Sequence, residues 1–344
     1  MARASAGARL HFGFCTLSLS HDRLYGALGL SLAEPRVTVE AAPADSVSVV
    51  VEADALAVDG DAGPVRPDAV ESLRVDVRGY ATTVVDLLGV PGAAVTVHAS
   101  LPRHVGLGSG TQLAATTLAA IARAHGRDPA VRERAPALGR GGRSGVGVAT
   151  FEAGGFVLDA GHPTARFTTD RPADGEWRVP PVVARHPVPD DWRFLLVRPD
   201  ADPGRNGENE DASMRAAVER AEPGLADRVA GIVTRRVLPA IAAGRAEAFG
   251  SAVEAVGRLN GAWYADEQGG VYRPPVGDVV ASLSVSPAVF GSGQSSWGPV
   301  VYGVTDAEHA DTAREAGERA LDAAGVAGSV AVVRAANGGA RVEG

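Results

Sequence analysis

The sequence predicts an α+β protein of two domains with a cleft between them: a β-rich α/β domain over residues 1–187 and an α/β sandwich over residues 188–344. Three observations carry that prediction. Short alternating segments separated by Asp, Gly and Pro turns fill residues 5–58. A strand then runs through a glycine cluster straight into a helix across residues 93–125. The segment 300–334 reads strand, helix, strand, an ending suited to a layered α+β unit.

The elements follow in order. Ala8–Phe14, Leu24–Leu32, Arg36–Glu40 and Val47–Val51 read as strands from their apolar alternation. Arg9 and His11 therefore leave one face of the first strand, either as a solvated face or as the lining of a cleft. Pro67–Leu88 is an amphipathic helix with a Pro-Asp start and a stop at Gly89. The strand Ala93–Ala99 is broken by Pro102, and Thr111–His125, rich in Ala and Leu, is a helix ended by Gly126. A further helical stretch, about Asp128–Leu138, ends at Gly139. Residues 139–162 read as an ordered glycine-rich element around a hairpin-like Gly154-Gly155, and proline-rich Pro180–Pro189 as the domain junction. Trp192–Val197 opens a new strand, and Asp200–Asn209 is a polar loop of the kind that carries ligands. Helices follow at about 211–221, 224–242 and 245–260, then a glycine-rich block at 289–303, the strand Val300–Val304, the helix Ala307–Ala324 and the strand Ser329–Arg334.

Composition narrows the function. Hydrophobic content of 45%, charged content of 22% and a net charge of −8 describe a soluble globular chain whose bulk electrostatics do not suit nucleic acid. All 33 basic residues are arginine, so Schiff-base chemistry on an internal lysine, pyridoxal phosphate included, is excluded. The single cysteine, Cys15, rules out an intrachain disulfide and a multi-cysteine zinc site. With no basic-then-apolar leader and no run of about twenty apolar residues, the expectation is a cytoplasmic protein without a membrane span.

Three glycine-rich blocks carry the candidate site. In the first, Gly106, Gly108, Ser109, Gly110, Thr111 and Gln112 open a helix whose unpaired N–H groups and positive dipole end suit a phosphate. In the second, Arg140, Arg143 and Ser144 sit among glycines, where arginine offers a two-pronged grip on phosphate or carboxylate. Glu152, Asp159 and His162 follow in the same block as candidate catalytic groups. In the third, Gln294, Ser295 and Ser296 offer hydrogen bonds beside Trp297, an apolar wall on which a planar ring stacks.

The run Pro102-x-x-x-Gly-Leu-Gly-Ser-Gly-Thr resembles the central motif of the GHMP superfamily of galacto-, homoserine, mevalonate and phosphomevalonate kinases. Those kinases carry a catalytic aspartate in a Ser-Gly-x-Asp pattern; here Ser144-Gly145-Val146-Gly147 has glycine in that place. Six motifs in order resemble instead a non-kinase branch, the β-ribofuranosylaminobenzene 5′-phosphate synthases: Arg9-Leu-His11, His104–Gln112, Gly139–Gly147, Phe151–Gly155, Asp159-x-Gly-His162 and Gly293–Pro299. The resemblance spans nearly the whole chain. It implies a GHMP-type fold with a ferredoxin-like C-terminal sandwich, a homodimer and a magnesium requirement. It also implies coupling of phosphoribosyl pyrophosphate to 4-aminobenzoate or 4-hydroxybenzoate, with release of carbon dioxide and pyrophosphate.

The expected division of labour follows. The helix start at Gly108–Thr111 with Arg140 and Arg143 takes the phosphates, and Arg9 clamps the 5′-phosphate or the benzoate carboxylate. Glu152 or Asp159 steadies the cationic sugar, or Glu152 holds magnesium; His11, His104 or His162 takes a proton from the acceptor. The rival readings are an ATP-dependent small-molecule kinase and a sugar-phosphate sensor without activity.

Overall fold

The structure is a computed structural model that describes residues 1–56, 67–165, 172–201 and 207–344. The expected polar loop at 200–209 falls partly outside these residues, and a helix has begun by Gly207. In chain order the elements are β1 (Ala2–Thr16), β2 (Arg23–Pro43), β3 (Ser48–Val51), α1 (Pro67–Leu88), β4 (Ala93–Ala99), α2 (Ser109–Ala124), α3 (Val131–Arg134), α4 (Val146–Ala153), β5 (Phe156–Asp159), β6 (His162–Pro163) and β7 (Val182–His186). Then follow β8 (Trp192–Pro199), α5 (Gly207–Arg220), α6 (Pro223–Ile232), α7 (Leu238–Ala242), α8 (Ala246–Gln268), α9 (Val276–Leu283), β9 (Gly291–Gln294), β10 (Val301–Asp306), α10 (Ala310–Ala324), β11 (Gly328–Val333) and β12 (Arg341–Glu343).

Two sheets organise these elements. The first runs β12-β1-β2-β4-β3, with β5 and β6 also pairing with β2 and β7 pairing with β5. The expected strands Leu24–Leu32 and Arg36–Glu40 are one strand, β2, long enough to pair with β1, β4, β5 and β6 along its length. The second sheet has the order β11-β8-β10-β9 with antiparallel pairs. Numbered within that unit the order is 4-1-3-2, the ferredoxin-like arrangement. Strand β8 shows why the unit is layered: Leu195 and Val197 face α9 and α10, while Phe194 and Leu196 join the larger core.

The two sheets meet in an aromatic cluster. Phe249 on α8 packs edge-on to Phe12 and Phe156 with ring centroids 5.7 Å apart, and lies 5.1 Å from Trp192. Phe12 also meets Tyr302 at 4.9 Å. These rings belong to β1, β5, α8, β8 and β10, so one core fixes the first strand relative to the second sheet. Truncating Phe249 would cost about 3–5 kcal/mol.

Three local expectations change. Within the ordered glycine-rich block 139–162, Val146–Ala153 forms a helix, α4, that the sequence did not mark. Its apolar run is buried on all sides, so no helical polar face marks it in the sequence. Gly154 and Gly155, both at positive φ, turn this helix into β5 instead of closing a hairpin. The stretch 128–138 yields only α3 and a 3-10 turn over Ala135–Leu138, since Pro136 cannot supply a helical N–H. The proline-rich stretch 180–189 contains β7, which pairs with β5.

Candidate active site

The glycine turn is built by interlocking backbone. Gly106 has φ 98°, and a Cβ there would fall 2.1 Å from the carbonyl oxygen of Ser295. Opposite, a Cβ on Gly298 would lie 1.9 Å from the carbonyl carbon of Val105. The first and third glycine blocks therefore touch through bare backbone, which no side chain allows. Ser295, fully buried, fastens the contact: its hydroxyl donates to Gly106 O at 2.7 Å and accepts from His11 N–H at 3.1 Å. Ser296 N–H donates to His11 O at 3.2 Å, and Val300 N–H to Val105 O at 3.1 Å.

Helix α2 starts from this knot. Its cap residue, Gly108, is left-handed at φ 77° and no side chain caps the helix. Gly108, Ser109, Gly110 and Thr111 line a cavity of about 690 Å³, so the positive end of α2 opens into it. Arg9 lies across the cap glycine, where a Cβ would meet its Cγ at 2.7 Å, and donates from Nη1 to Gly106 O at 2.8 Å. Irregular pairing between β1 and β2 brackets Arg9 and His11, re-aiming this part of the strand toward the site.

Four arginines reach the cavity: Arg9, Arg103, Arg140 and Arg143. Arg103 pairs with Asp76 at 2.7 Å, Arg143 pairs with Asp211, and Arg140 donates to the Tyr80 hydroxyl while its Nε is buried without a partner among the described residues. Asp76 and Tyr80 lie four apart on α1 and so share one face of it. Four guanidinium groups against the carboxylates of Asp76, Asp174 and Asp211 leave this lining one positive charge in excess, to which the start of α2 adds its dipole, and both favour an anion. His104 sits in this wall at φ 58°. Half-burial, then the charge of Arg103, lowers its pKa, with Arg140 adding to the effect and Asp76 opposing it. These surroundings favour the uncharged imidazole.

Behind Ser296 and Trp297 lies a second, smaller recess of about 40 Å³, lined among others by His11, Asn260, Tyr272 and Gln294. Trp297 divides the two spaces and leans on Tyr264, ring centroids 4.3 Å apart. Burial, then the charge of Arg9, lowers the His11 pKa to about 3, so this ring is uncharged.

The remaining sequence candidates form a brace beneath the cavity. The Asp159 carboxylate accepts from Gly145 N–H and Gly161 N–H, both at 2.8 Å, and from the Ser144 hydroxyl at 3.4 Å. Burial raises its pKa to about 6 against those hydrogen bonds. Ser144 also accepts from Val146 N–H at 3.2 Å, closing a local turn just before α4. His162 Nε2 bonds Gly141 O at 3.1 Å, and Gln112 Nε2 donates to Gly147 O at 3.0 Å. Glu152 pairs with Arg132 at 2.7 Å and does not line either space. Among the described residues no three His, Cys, Asp or Glu side chains are grouped to hold a metal ion.

The structure thus gathers Arg9, His104, Gly106, Gly108, Ser109, Gly110, Thr111, Arg140, Arg143, Ser296 and Trp297 around the large cavity. It sets His11 and Gln294 on the recess, and Gln112, Ser144, Asp159 and His162 in the brace. Sequence reading missed Arg103, Asp76, Tyr80, Asp174 and Asp211 at the cavity, and Tyr272 at the recess. Arg103 was legible inside the Pro102–Thr111 motif; the others come from distant elements that only the fold brings in.

Where the kinase pattern has aspartate, Gly147 packs on the cavity helix: a Cβ there would lie 2.9 Å from Thr111 Cγ2. The model of the GHMP kinases N terminal domain matches residues 77–155. Galactokinase from Lactococcus lactis superposes with a TM-score of 0.67 at 12% identity, over 98% of this chain and 94% of that one, which shows the fold. Beta-ribofuranosylphenol 5′-phosphate synthase from Methanothermobacter thermautotrophicus is 33% identical over 303 residues, 87% of each chain. The chain belongs to that synthase family. The Methanocaldococcus jannaschii beta-ribofuranosylphenol 5′-phosphate synthase is 26% identical over 97% of this chain and 98% of its own. This chain thus has the two-domain α/β GHMP-type fold, with glycine where the kinase pattern places its aspartate. Among the described residues no helix is long and apolar enough to cross a membrane.

Proposed function

We propose that the protein is a pentosyltransferase that joins a ribofuranosyl 5-phosphate unit to the ring of 4-hydroxybenzoate or 4-aminobenzoate, with phosphoribosyl pyrophosphate as donor. The observation that carries this reading is the large cavity, where the start of α2 and Arg9, Arg103, Arg140 and Arg143 converge on one space. That electrostatic field matches a donor bearing a phosphate and a pyrophosphate.

The chemistry balances without a net proton. The bond from sugar C1 to the pyrophosphate oxygen breaks and its electron pair leaves with pyrophosphate. The ring carbon bearing the carboxylate supplies the pair for the new carbon–carbon bond. The carbon–carboxylate bond then breaks, returns its pair to the ring and releases carbon dioxide. Positive charge develops on the sugar and on the acceptor's para substituent, so the protein's task is positioning and electrostatics. Arg140 and Arg143 hold the leaving pyrophosphate, and Arg9 with the α2 N–H groups holds the 5′-phosphate. His104, whose surroundings favour the uncharged imidazole, provides a hydrogen bond beside the sugar. Asp174 lines the cavity and would meet a magnesium ion carried on the pyrophosphate, which would supply charge neutralisation of the leaving group, while Asp211, also in the lining, is tied to Arg143. The donor set fits that role, since magnesium on a phosphate substrate needs only one or two carboxylates. The sequence resemblance extends the proposal to a cytoplasmic homodimer, to be checked by sedimentation.

Incubation with magnesium, phosphoribosyl pyrophosphate and carboxyl-labelled 4-hydroxybenzoate or 4-aminobenzoate should release labelled carbon dioxide and pyrophosphate in equal amounts. Release from neither acceptor refutes the reaction; ATP-dependent phosphorylation of a small alcohol in its place would favour a kinase.

A further inference from the structure

Ser72, Asp76 and Tyr80, spaced four apart on α1, share one face of that helix, and each receives a cavity arginine. Arg103 donates from Nη1 to the Ser72 hydroxyl at 2.5 Å and pairs through Nη2 with Asp76 at 2.7 Å. Arg140 donates from Nη2 to the Tyr80 hydroxyl, with its guanidinium carbon 5.3 Å from the centre of the same ring. On the adjoining face Leu73, Val77, Ala81 and Val84 are buried in the core, which fixes the rotation of α1 and the three polar groups with it.

The two partnerships differ in charge. Asp76 neutralises Arg103, as Asp211 does Arg143, whereas no carboxylate pairs with Arg140 among the described residues. A phenol accepts the guanidinium N–H without cancelling its charge. That charge stands at the start of α2, because a Cβ on Gly110 would meet Arg140 Nη1 at 2.9 Å. It also reaches His104, whose pKa burial and Arg103 lower first and Arg140 lowers further, against Asp76. The backbone of Arg140 is fixed without Tyr80: its N–H donates to Ala135 O at 2.9 Å, and its carbonyl accepts from Trp177 Nε1 at 3.0 Å. Loss of the phenol oxygen would therefore free the side chain and spare the loop. With Nη2 engaged by Tyr80, Nη1 is left over the first turn of α2, where a guanidinium edge and helix N–H groups can meet one anion.

We propose that Tyr80 is a positioning residue for the donor's pyrophosphate group: as a neutral partner it holds Arg140 against the first turn of α2 and leaves the guanidinium charge for the anion. The identity of the donor rests on the reaction argued above, whereas the contact itself needs only an anion. Calorimetric titration of the full chain with inorganic pyrophosphate in magnesium therefore tests it without turnover. Tyr80→Phe keeps the ring and removes the hydroxyl, and should weaken pyrophosphate binding about 10-fold with little change in thermal midpoint. Tyr80→Glu restores an acceptor for Nη2 but adds a negative charge, and should bind at least as weakly as Tyr80→Phe; a tyrosine needed only as a hydrogen-bond acceptor predicts recovery instead. In the Arg140→Ala background, itself about 100-fold weaker, adding Tyr80→Phe should cost no more than about twofold, since the hydroxyl acts through the missing guanidinium. Wild-type affinity in Tyr80→Phe, a further loss of about 10-fold on top of Arg140→Ala, or wild-type affinity in Tyr80→Glu each overturns the proposal. So does a wild type that does not bind pyrophosphate. The Phe variants decide the matter if Tyr80→Glu does not fold. The expected pattern without release of carbon dioxide from a labelled acceptor would refute the reaction and support the positioning role. Carbon dioxide release with pyrophosphate affinity untouched by Tyr80→Phe would do the reverse.

Discussion

The arginine cavity and the recess behind Trp297 share two wall residues and differ in almost every other respect. One is about 690 Å³, opens on a helix N-terminus and carries four guanidinium groups; the other is about 40 Å³ and is lined by neutral groups. The first faces its space with a net positive lining, and the second with neutral groups alone. A transferase that joins a highly charged donor to a small planar acceptor needs both kinds of site within one bond of each other. The indole of Trp297 is the boundary at which they meet.

The largest effect should come from the charged side. Arg140→Ala removes a guanidinium that stands at the start of α2, where a Cβ on Gly110 would meet its Nη1 at 2.9 Å. Turnover should fall about 10²–10³-fold, with a far smaller change in thermal stability. Unchanged turnover in steady-state kinetics would break the comparison by showing that the cavity does not hold the donor.

The next effect acts on the charged side through Asp159, whose carboxylate ties the arginine-bearing loop to β5. Its folded pKa is raised from 3.8 to about 6, so the protonated form is the one the fold favours. The stability this gives is complete below pH 3.8 and is lost as the pH rises through 6. Denaturation of wild type and Asp159→Asn across that window should show the wild-type advantage shrinking by roughly 3 kcal/mol at most. A constant difference would mean that Asp159 does not titrate there.

Gly147→Asp restores the kinase pattern on paper. Its Cβ would lie 2.9 Å from Thr111 Cγ2, so unfolding titrations should report a loss of about 1–3 kcal/mol. ATP turnover should not appear; its appearance would reclassify the cavity. The smallest effect belongs to the boundary: Trp297→Ala should raise the acceptor KM about 10-fold and leave the donor KM nearly unchanged. Equal effects on both would show that the indole does not separate two compartments.

Much of this was legible in the sequence, and what was not has a physical cause. Helix α1 and strand β4 stand where hydrophobic periodicity puts them, and Gly108–Thr111 forms the helix start that its glycines require. Helix α4 escaped because burial on all sides removes the amphipathic signal, and α9 lay between clearer elements. The cavity's arginines were visible as residue types near glycine. Their partners were not, because Asp76 and Tyr80 come from α1 and Asp211 from α5, and neither helix carries a local mark of facing a ligand. The mutual need of Gly106 and Gly298 was equally hidden, since each is glycine because of a backbone almost two hundred residues away.

The most direct test of the division into two compartments is a paired titration of wild type and Arg140→Ala with phosphoribosyl pyrophosphate and with 4-hydroxybenzoate, each followed separately by calorimetry in magnesium. Donor affinity should fall about 100-fold in the variant while 4-hydroxybenzoate affinity stays within about twofold. Parallel loss of both affinities, or retention of donor affinity, would contradict the account.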